Sequence, residues 1–459
     1  MSRAGRAVAW LAGGACLAIV VFWVAALCCP AAFDYGEGDT ATWIWLLRHG
    51  QPIYGRLGAL PMVLTNYPPF FMQTTAWLAP SDALILSSGR VLAIHGVLLT
   101  AAMVGVSVRA ASGSRKAALL AAVLFIGTER AGYYGGVCRG DTLALGFGAA
   151  AVTLAALRVR WWWLFAAVLF AVAAFTKHSV IVFPVALGLW SLRRAPAQAI
   201  ALGALTLALV GLLLWKLQLV DPLFVWSRAP WSLPTFVTFL FISVGPSALG
   251  IALVVLALRR WPALPERARE VLEPWVAVFV AGLLWIVSLG RVGAGTNYVL
   301  ELCAAITVIS VVVFETGAFP RLFLAHVALT CAESLVYVAV LLGVLLPRAR
   351  AELAVSERTI ADVHGPVFAE ESWLTTSTGH PPLVIPFLAT QLAAARRWDP
   401  APLIDALDHG RVERLYLDFP LESGVAHPDR YLHAELAAMR ARYVRLDHVG
   451  NLYVYRPRP

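Results

Sequence analysis

Charge is scarce in this chain. Asp, Glu, Lys and Arg make up 14% of its 459 residues, 60% are hydrophobic, and the mean hydropathy is +0.74. That excludes an ordinary soluble domain of this length. Acids are the scarcer sign, with 27 Asp and Glu against 36 Lys and Arg. The net charge of +9 does not require a nucleic-acid partner, because basic loop ends beside anionic lipid head groups account for it. Cysteine is thin as well. Cys16, Cys28, Cys29, Cys138, Cys303 and Cys331 show no Cys-x-x-Cys spacing, and most lie in apolar runs. Neither a metal site nor a disulfide framework follows. No internal repeat of roughly 20–50 residues is visible, which removes the repeat architectures.

What the chain does contain is about eleven apolar segments of spanning or near-spanning length. Their loops sort by charge. Arg3 and Arg6 precede the first segment, from Val8 to about Cys29. It is longer than the core of a cleaved signal peptide, and no convincing cleavage site follows, so it reads as a retained first helix. Further spans are expected at 84–107, 117–128, 142–157, 161–176, 179–192, 197–219, 235–258, 274–290, 298–314 and 321–346. Every second connection is basic. These carry Arg109, Arg115 and Lys116, then Arg158 and Arg160, then Arg193 and Arg194, then Arg259, Arg260, Arg267 and Arg269, then Arg321. Basic loops stay in the cytoplasm. The other loops collect Asp34, Glu37, Asp39, Glu129 and Asp141 and face outward. An odd span count puts the N-terminus inside and the C-terminus outside. The 17 Trp residues suit interfacial belts. His95, His326 and Glu333 fall inside predicted spans and read as structural, since no partner for them is evident.

Composition changes after Pro347. Residues 348–459 are polar, with turns such as His380-Pro381-Pro382. They read as a small outer α/β domain behind a transmembrane domain of residues 1–347. Leu383–Ile385 and Leu415–Leu417 are expected strands, and Pro402–His409 and Asp429–Arg442 expected helices. Tyr443–Leu446 and Leu452–Tyr455 flank Gly450-Asn451, a hairpin signal. This stretch has no Gly-rich phosphate loop and no nucleophile motif.

The longest outer connection, residues 30–83, opens with Pro30-Ala31-Ala32-Phe33-Asp34-Tyr35-Gly36-Glu37-Gly38-Asp39. Carboxylates this close repel unless they are solvated, protonated or paired with a cation. The glycines permit turns that aim side chains into one cavity. A solvated acidic loop is the plain alternative, and the position directly at the end of a span counts against it. Thr40 to His49 carries Trp43, Ile44, Leu46 and Leu47 on one stripe, and Gly50 ends it. That predicts a helix lying on the membrane. Asn66-Tyr67-Pro68-Pro69-Phe70-Phe71 predicts the start of a second interfacial helix running through Leu78.

The order of these features resembles the GT-C glycosyltransferases, membrane enzymes that take sugars from polyprenyl-phosphate donors. The residues that carry the resemblance are Asp34 and Glu37, the Gly50-Gln51-Pro52-Ile53-Tyr54 turn and Tyr67-Pro68-Pro69. Arg139-Gly140-Asp141-Thr142-Leu143-Ala144-Leu145 is similar to the family's Arg-x-Asp signature. Thr176-Lys177-His178-Ser179 is similar to its Thr-Lys-Gln-Thr turn, and Gly293-Ala294-Gly295-Thr296-Asn297-Tyr298 with Glu301 to a later loop of bacterial members. The pattern is nearest to the protein O-mannosyltransferase and aminoarabinose-transferase branch, bacterial glycosyltransferase family 39-like. Those enzymes have adjacent Asp and Glu in the first loop, whereas Tyr35 and Gly36 separate the two acids here.

The resemblance implies a GT-C-like helical membrane protein in the bacterial inner membrane. It implies inverting transfer of a hexose or pentose to a lipid, glycan or protein acceptor at the outer face. An acceptor hydroxyl must lose its proton as the new C1–O bond forms, which a nearby carboxylate can accept. Asp34 is the expected base and Glu37 the alternate, and the base stays open between them. Asp141 is the expected third catalytic acid, facing Asp34 across the cavity. Its plain alternative is an Arg–Asp pair that fixes a helix end. The lipid phosphate leaving group needs positive charge, for which Lys177, Arg139 and Arg291 are expected. The resemblance adds Asn297, Tyr298 and Tyr67 as substrate-binding residues. Lys177 otherwise reads as a snorkelling lysine, and Arg291 as part of a flexible turn. A divalent metal ion stays open, because some members bind one and this sequence lacks a deciding ligand set. The competing functions are a membrane transporter or lipid flippase, and a non-catalytic envelope assembly protein. A transporter favours charge and helix breaks at mid-membrane between related halves, unlike this chain. An assembly protein has no need of Asp34 and Asp141.

Overall fold

The computed structural model describes residues 3–55, 57–225, 230–423 and 430–459. Apolar stretches become helices because the backbone has no partner in lipid but itself. Helix α1 (Arg3–Leu27) leads into the long connection, which folds α2 (Tyr35–Arg48) and α3 (Phe70–Leu78). The bundle continues through α4 (Ile85–Ser112), α5 (Arg115–Ile126), α6 (Glu129–Gly135), α7 (Asp141–Ala156) and α8 (Trp162–Thr176). Then come α9 (Val182–Arg194), α10 (Pro196–Lys216), α11 (Leu233–Phe239), α12 (Ala248–Arg259), α13 (Glu266–Trp285), α14 (Leu300–Glu315) and α15 (Pro320–Val340). A wider turn at Leu341–Leu345 joins α15 to α16 (Leu346–Ile360), so one helical run leaves the bundle and enters the polar region.

Among the described residues, 7 helical runs are long and apolar enough to cross a membrane, and α7 and α8 are shorter apolar helices. The chain is a multi-pass membrane protein. Helix α14 is the hub, buried along almost its whole length. Helix α10 is the opposite case: only Leu202 is buried on it, and Leu207 is 73% exposed. Lipid covers such a face. Helices α4 and α7 touch at backbone distance. A Cβ on Gly96 would sit 2.4 Å from the Thr142 carbonyl oxygen, and Thr142 donates to the Ala93 carbonyl at 2.8 Å. Small residues allow this approach, which sets the position of the adjoining Asp141.

Beyond α16 lie β1 (Val367–Ala369), α17 (Trp373–Thr376), α18 (Pro386–Ala394), α19 (Ala401–Asp408), β2 (Arg414–Leu417), α20 (His433–Arg442), β3 (Tyr443–Val449) and β4 (Leu452–Pro457). The sheet order is β1-β2-β4-β3, with β1 and β2 parallel and the other pairs antiparallel. Leu415 lies opposite Tyr455, and the β3–β4 hairpin turns at Gly450-Asn451. The helix expected from Asp429 begins at His433, and Asp429 itself lies outside the described residues. The strand expected at Leu383–Ile385 is reduced to one bridge between Val384 and Met62. Pro386 starts α18 directly after it, and proline has no amide with which to extend a ladder. The short β1 is an addition that the sequence reading did not contain.

Helix α2 also differs from expectation. It does not rest its apolar stripe on lipid. Trp43, Ile44 and Leu46 are buried in a core that includes Trp373, Ile385 and Leu388. Trp373 donates to the Pro30 carbonyl at 2.9 Å. The polar C-terminal region therefore covers α2 from above. Helix α3 forms as a helix through Leu78 and leaves Trp77 exposed.

Candidate active site

The site forms where the start of α2 meets the ends of α6 and α8 and the start of α7. Asp34 is the N-cap of α2. Its backbone is extended, and Oδ1 accepts the Glu37 N–H at 2.7 Å. A capping carboxylate is a local consequence of the sequence, since Asp is a strong N-cap residue. Oδ2 accepts the Tyr133 hydroxyl at 2.5 Å, and Arg139 Nη1 lies 3.8 Å from Oδ1. The Asp34 side chain keeps 26% exposure and borders a cavity of about 170 Å³ with Asp39, Tyr67, Arg139 and Phe387.

Glu37 has a different environment. Its side chain is wholly buried against Arg90. Oε1 accepts from Arg90 Nε at 2.8 Å and from the Cys138 N–H at 2.6 Å. Oε2 accepts from Arg90 Nη2 at 3.0 Å and from the Phe33 N–H at 2.8 Å. Arg90 also donates to the carbonyls of Ala26, Cys29 and Ala31. The pair clamps the end of α1, the first loop and α4 together, and leaves Glu37 no free edge for an acceptor. The sequence reading passed over Arg90. A lone arginine within an apolar span was the available signal, because such a charge needs a partner. Asp39, one turn inside α2, accepts from Ser372 Oγ at 2.8 Å, and burial pushes its carboxyl up to about 7.

Asp141 does not face Asp34 across open space, because Arg139 lies between them. Arg139 Nε is 3.3 Å from Asp141 Oδ2. Lys177 Nζ is 3.3 Å and Asn297 Nδ2 2.7 Å from Asp141 Oδ1. Lys177 follows the last residue of α8 in extended conformation, with Nζ 4.0 Å from the centre of the Tyr67 ring. Burial pulls its ammonium below the usual lysine range, and Asp141 opposes that pull. His178 is pushed down to about 4 by burial and by the cations of Lys177 and Arg291. The loop after α13 therefore brings Arg291 within electrostatic reach. Tyr298 and Asn297 border a small space beside Asp141. The expected site residues thus form a linked series, Asp34–Arg139–Asp141–Lys177–Tyr67. Arg291, Asn297 and Tyr298 stand at its Lys177 end and Glu37 lies behind it. Tyr133, which holds Asp34, was not anticipated.

Gly36 is required for this closeness. A Cβ there would sit 2.9 Å from Arg139 Nη1 and 3.3 Å from Asp34 Oδ1. Among the described residues, no group of three His, Cys, Asp or Glu is arranged to hold a metal ion. Arg139 and Lys177 already supply the positive charge between and beside the acids, so Asp34 and Asp141 as placed do not fit a shared divalent cation.

No family model matches the sequence, and no curated protein matches it. Solved structures do. ArnT from Cupriavidus metallidurans in the apo state superposes with a TM-score of 0.62 at 15% identity, covering 97% of both chains. The same protein bound to undecaprenyl phosphate gives 0.63 at 14% identity, with the same coverage. The oligosaccharyltransferase AglB of Archaeoglobus fulgidus, in complex with an inhibitory peptide and a dolichol-phosphate, gives 0.51 at 12% identity. That match covers 93% of this chain and 72% of AglB. Both are GT-C glycosyltransferases, and the chain has their fold.

Proposed function

We propose that this protein is an inverting glycosyltransferase that moves a sugar from a polyprenyl-phosphate donor to an acceptor at the outer face of the membrane. The observation that carries this reading is a partly exposed carboxylate, Asp34, that shares a cavity with Arg139, which is linked in turn through Asp141 to Lys177. The polyprenyl phosphates bound by two GT-C relatives of the same fold support the donor class. In the transfer, Asp34 takes the proton of the acceptor hydroxyl while its oxygen attacks C1 of the sugar. The C1–O bond to phosphate breaks, and its electron pair stays on the phosphate oxygen. Lys177, with Arg291 beside it, meets that growing negative charge, which favours the transition state over the ground state. Asp141 keeps Lys177 and Arg139 in position. Tyr67, Asn297 and Tyr298 line the donor side. Attack opposite the phosphate inverts the anomeric centre without a sugar–enzyme bond.

The alternating loop charge supports about eleven spans, a cytoplasmic N-terminus and an extracytoplasmic sheet. Mass spectrometry of the cell envelope tests the function. Cells lacking the protein should lose one sugar substituent, restored by the wild type and not by Asp34→Asn at equal abundance. An unchanged envelope in the deletion strain would remove the transferase reading. Full restoration by Asp34→Asn would remove only Asp34 as base.

A further inference from the structure

Asp34 and Tyr35 border a second cavity, of about 190 Å³, beneath the C-terminal sheet. Its lining is unlike that of the first. Asp34, Glu352, Glu370, Glu371 and Asp418 stand there against Arg348 and Arg430. Four of these acids are already matched: Asp34 has Tyr133 and Arg139, and Asp418 lies 3.7 Å from Arg430. Glu352 pairs with Arg348 at 2.7 Å, and Glu370 pairs with Arg430 and accepts the Tyr431 hydroxyl at 2.7 Å. Glu371 is the mismatch. Its Oε1 is buried without a hydrogen-bond partner, beside Gly38 of α2. A buried carboxylate oxygen left this way is costly unless a donor reaches the group. The Nε of Arg430, on the same wall, is also buried without a partner.

We infer that this second cavity is the acceptor compartment, and that the acceptor carries a protonated amine beside the hydroxyl that it presents to Asp34. The inference rests on the transferase reading above. Three observations combine in it. The cavity reaches the proposed base from the side of the sheet, away from Lys177, so donor and acceptor do not compete for one space. Its five acids outnumber its two arginines, and burial with the neighbouring acids pushes the Glu371 carboxyl well up, so the cavity disfavours a further anion such as a phosphate and favours a cation. Its volume, about six times that of a liquid water molecule, suits a small polar head group or one end of a larger molecule. An ammonium donating to Glu371, in the cavity that Asp418 also lines, would favour its ionised form and supply the missing charge-assisted hydrogen bond.

The full-length protein in detergent tests this with two oligosaccharide probes. One is a glucosamine tetramer with free amines, the other its fully N-acetylated counterpart, and binding of each is measured by calorimetry. The wild type should bind the free-amine tetramer at least about tenfold more tightly, a difference of about 1.4 kcal/mol. Glu371→Gln, which keeps shape, should bring the two affinities close together with the melting temperature unchanged. Asp418→Asn should narrow the gap as a second, independent variant. Equal affinities in the wild type, or a preference that survives both substitutions, would overturn the inference. Native mass spectrometry with undecaprenyl phosphate runs as a separate arm. Its retention by the wild type and by Glu371→Gln supports separate donor and acceptor spaces, and its loss only in Glu371→Gln counts against them. Failure of the wild type itself to retain it strikes the donor reading, not the amine preference.

Discussion

Asp34 and Glu37 stand three positions apart and carry the same functional group, yet their surroundings give them opposite tasks. Asp34 keeps an exposed edge at a cavity, while Glu37 spends both oxygens on Arg90 and two backbone amides. Asp34→Asn should therefore leave the melting temperature near that of the wild type, because Asn is also a good N-cap. Turnover should fall by about 10²–10⁴. Glu37→Gln leaves Arg90 buried and unpaired, a loss of about 3–5 kcal/mol, and should show first as a lowered melting temperature. Lys177→Met keeps the stem and removes the charge. It should lower kcat more than it raises KM for a polyprenyl-phosphate sugar, whereas a merely snorkelling lysine would leave turnover intact. Asp39 gives a pH test. Its folded-state pKa of about 7 lies above the ordinary 3.8, so the folded state holds the proton more tightly. That contribution is complete below about pH 4 and is lost as pH rises through about 7. Asp39→Asn should match the wild type at pH 4 and melt higher at pH 8, by on the order of a few degrees.

At the scale of elements, α2 is the organising piece. Asp34 caps it, Glu37 anchors its first turn, and its apolar stripe is covered by α17, α18 and their neighbours. The stripe of Trp43, Ile44 and Leu46 identified a helix with one apolar face but did not say whether lipid or protein covers it. The start of α2 is close to Arg139, and Gly36 makes the room. In Gly36→Ala the new methyl would meet the flexible end of Arg139 rather than fixed backbone. The helix should stay folded while the guanidinium moves away from Asp34. Melting temperature should hold, and transfer activity should fall. A parallel loss of both would mean that the first turn of α2 itself had been displaced.

At the scale of the molecule, α15 and α16 form one run of 41 residues, Pro320–Ile360. It ties the polar sheet to the membrane bundle and brings Glu352 and Arg348 over the start of α2. The topology proposed above, with basic loops inside, puts the sheet outside. Reporter fusions at Ala111 and Ala401 should accordingly report opposite sides of the membrane. Same-side signals would overturn the topology and, with it, an active site on the outer face.

Local properties were legible in the sequence. Apolar runs marked helices. Gly450-Asn451 marked a hairpin, and the first-loop acids and the Arg-x-Asp turn marked residues that the fold brings together, because each signal lies within a few consecutive residues. The Asp34-to-Glu37 spacing even contained the cap and first turn of α2, although the acids were read as a catalytic pair. Tertiary structure decided the rest. Arg90 lies 53 positions from Glu37, and nothing local couples them. They meet because α4 packs against the end of α1. Arg139 separates Asp34 from Asp141 only because α6 ends and α7 starts beside α2. The close approach of α4 and α7 at Gly96, and the cover laid over Trp43 by the C-terminal region, depend likewise on how finished elements stack. Periodicity sets what each segment becomes. Which acid remains reachable depends on which neighbours arrive to bury the others, and that is settled only when the helices pack.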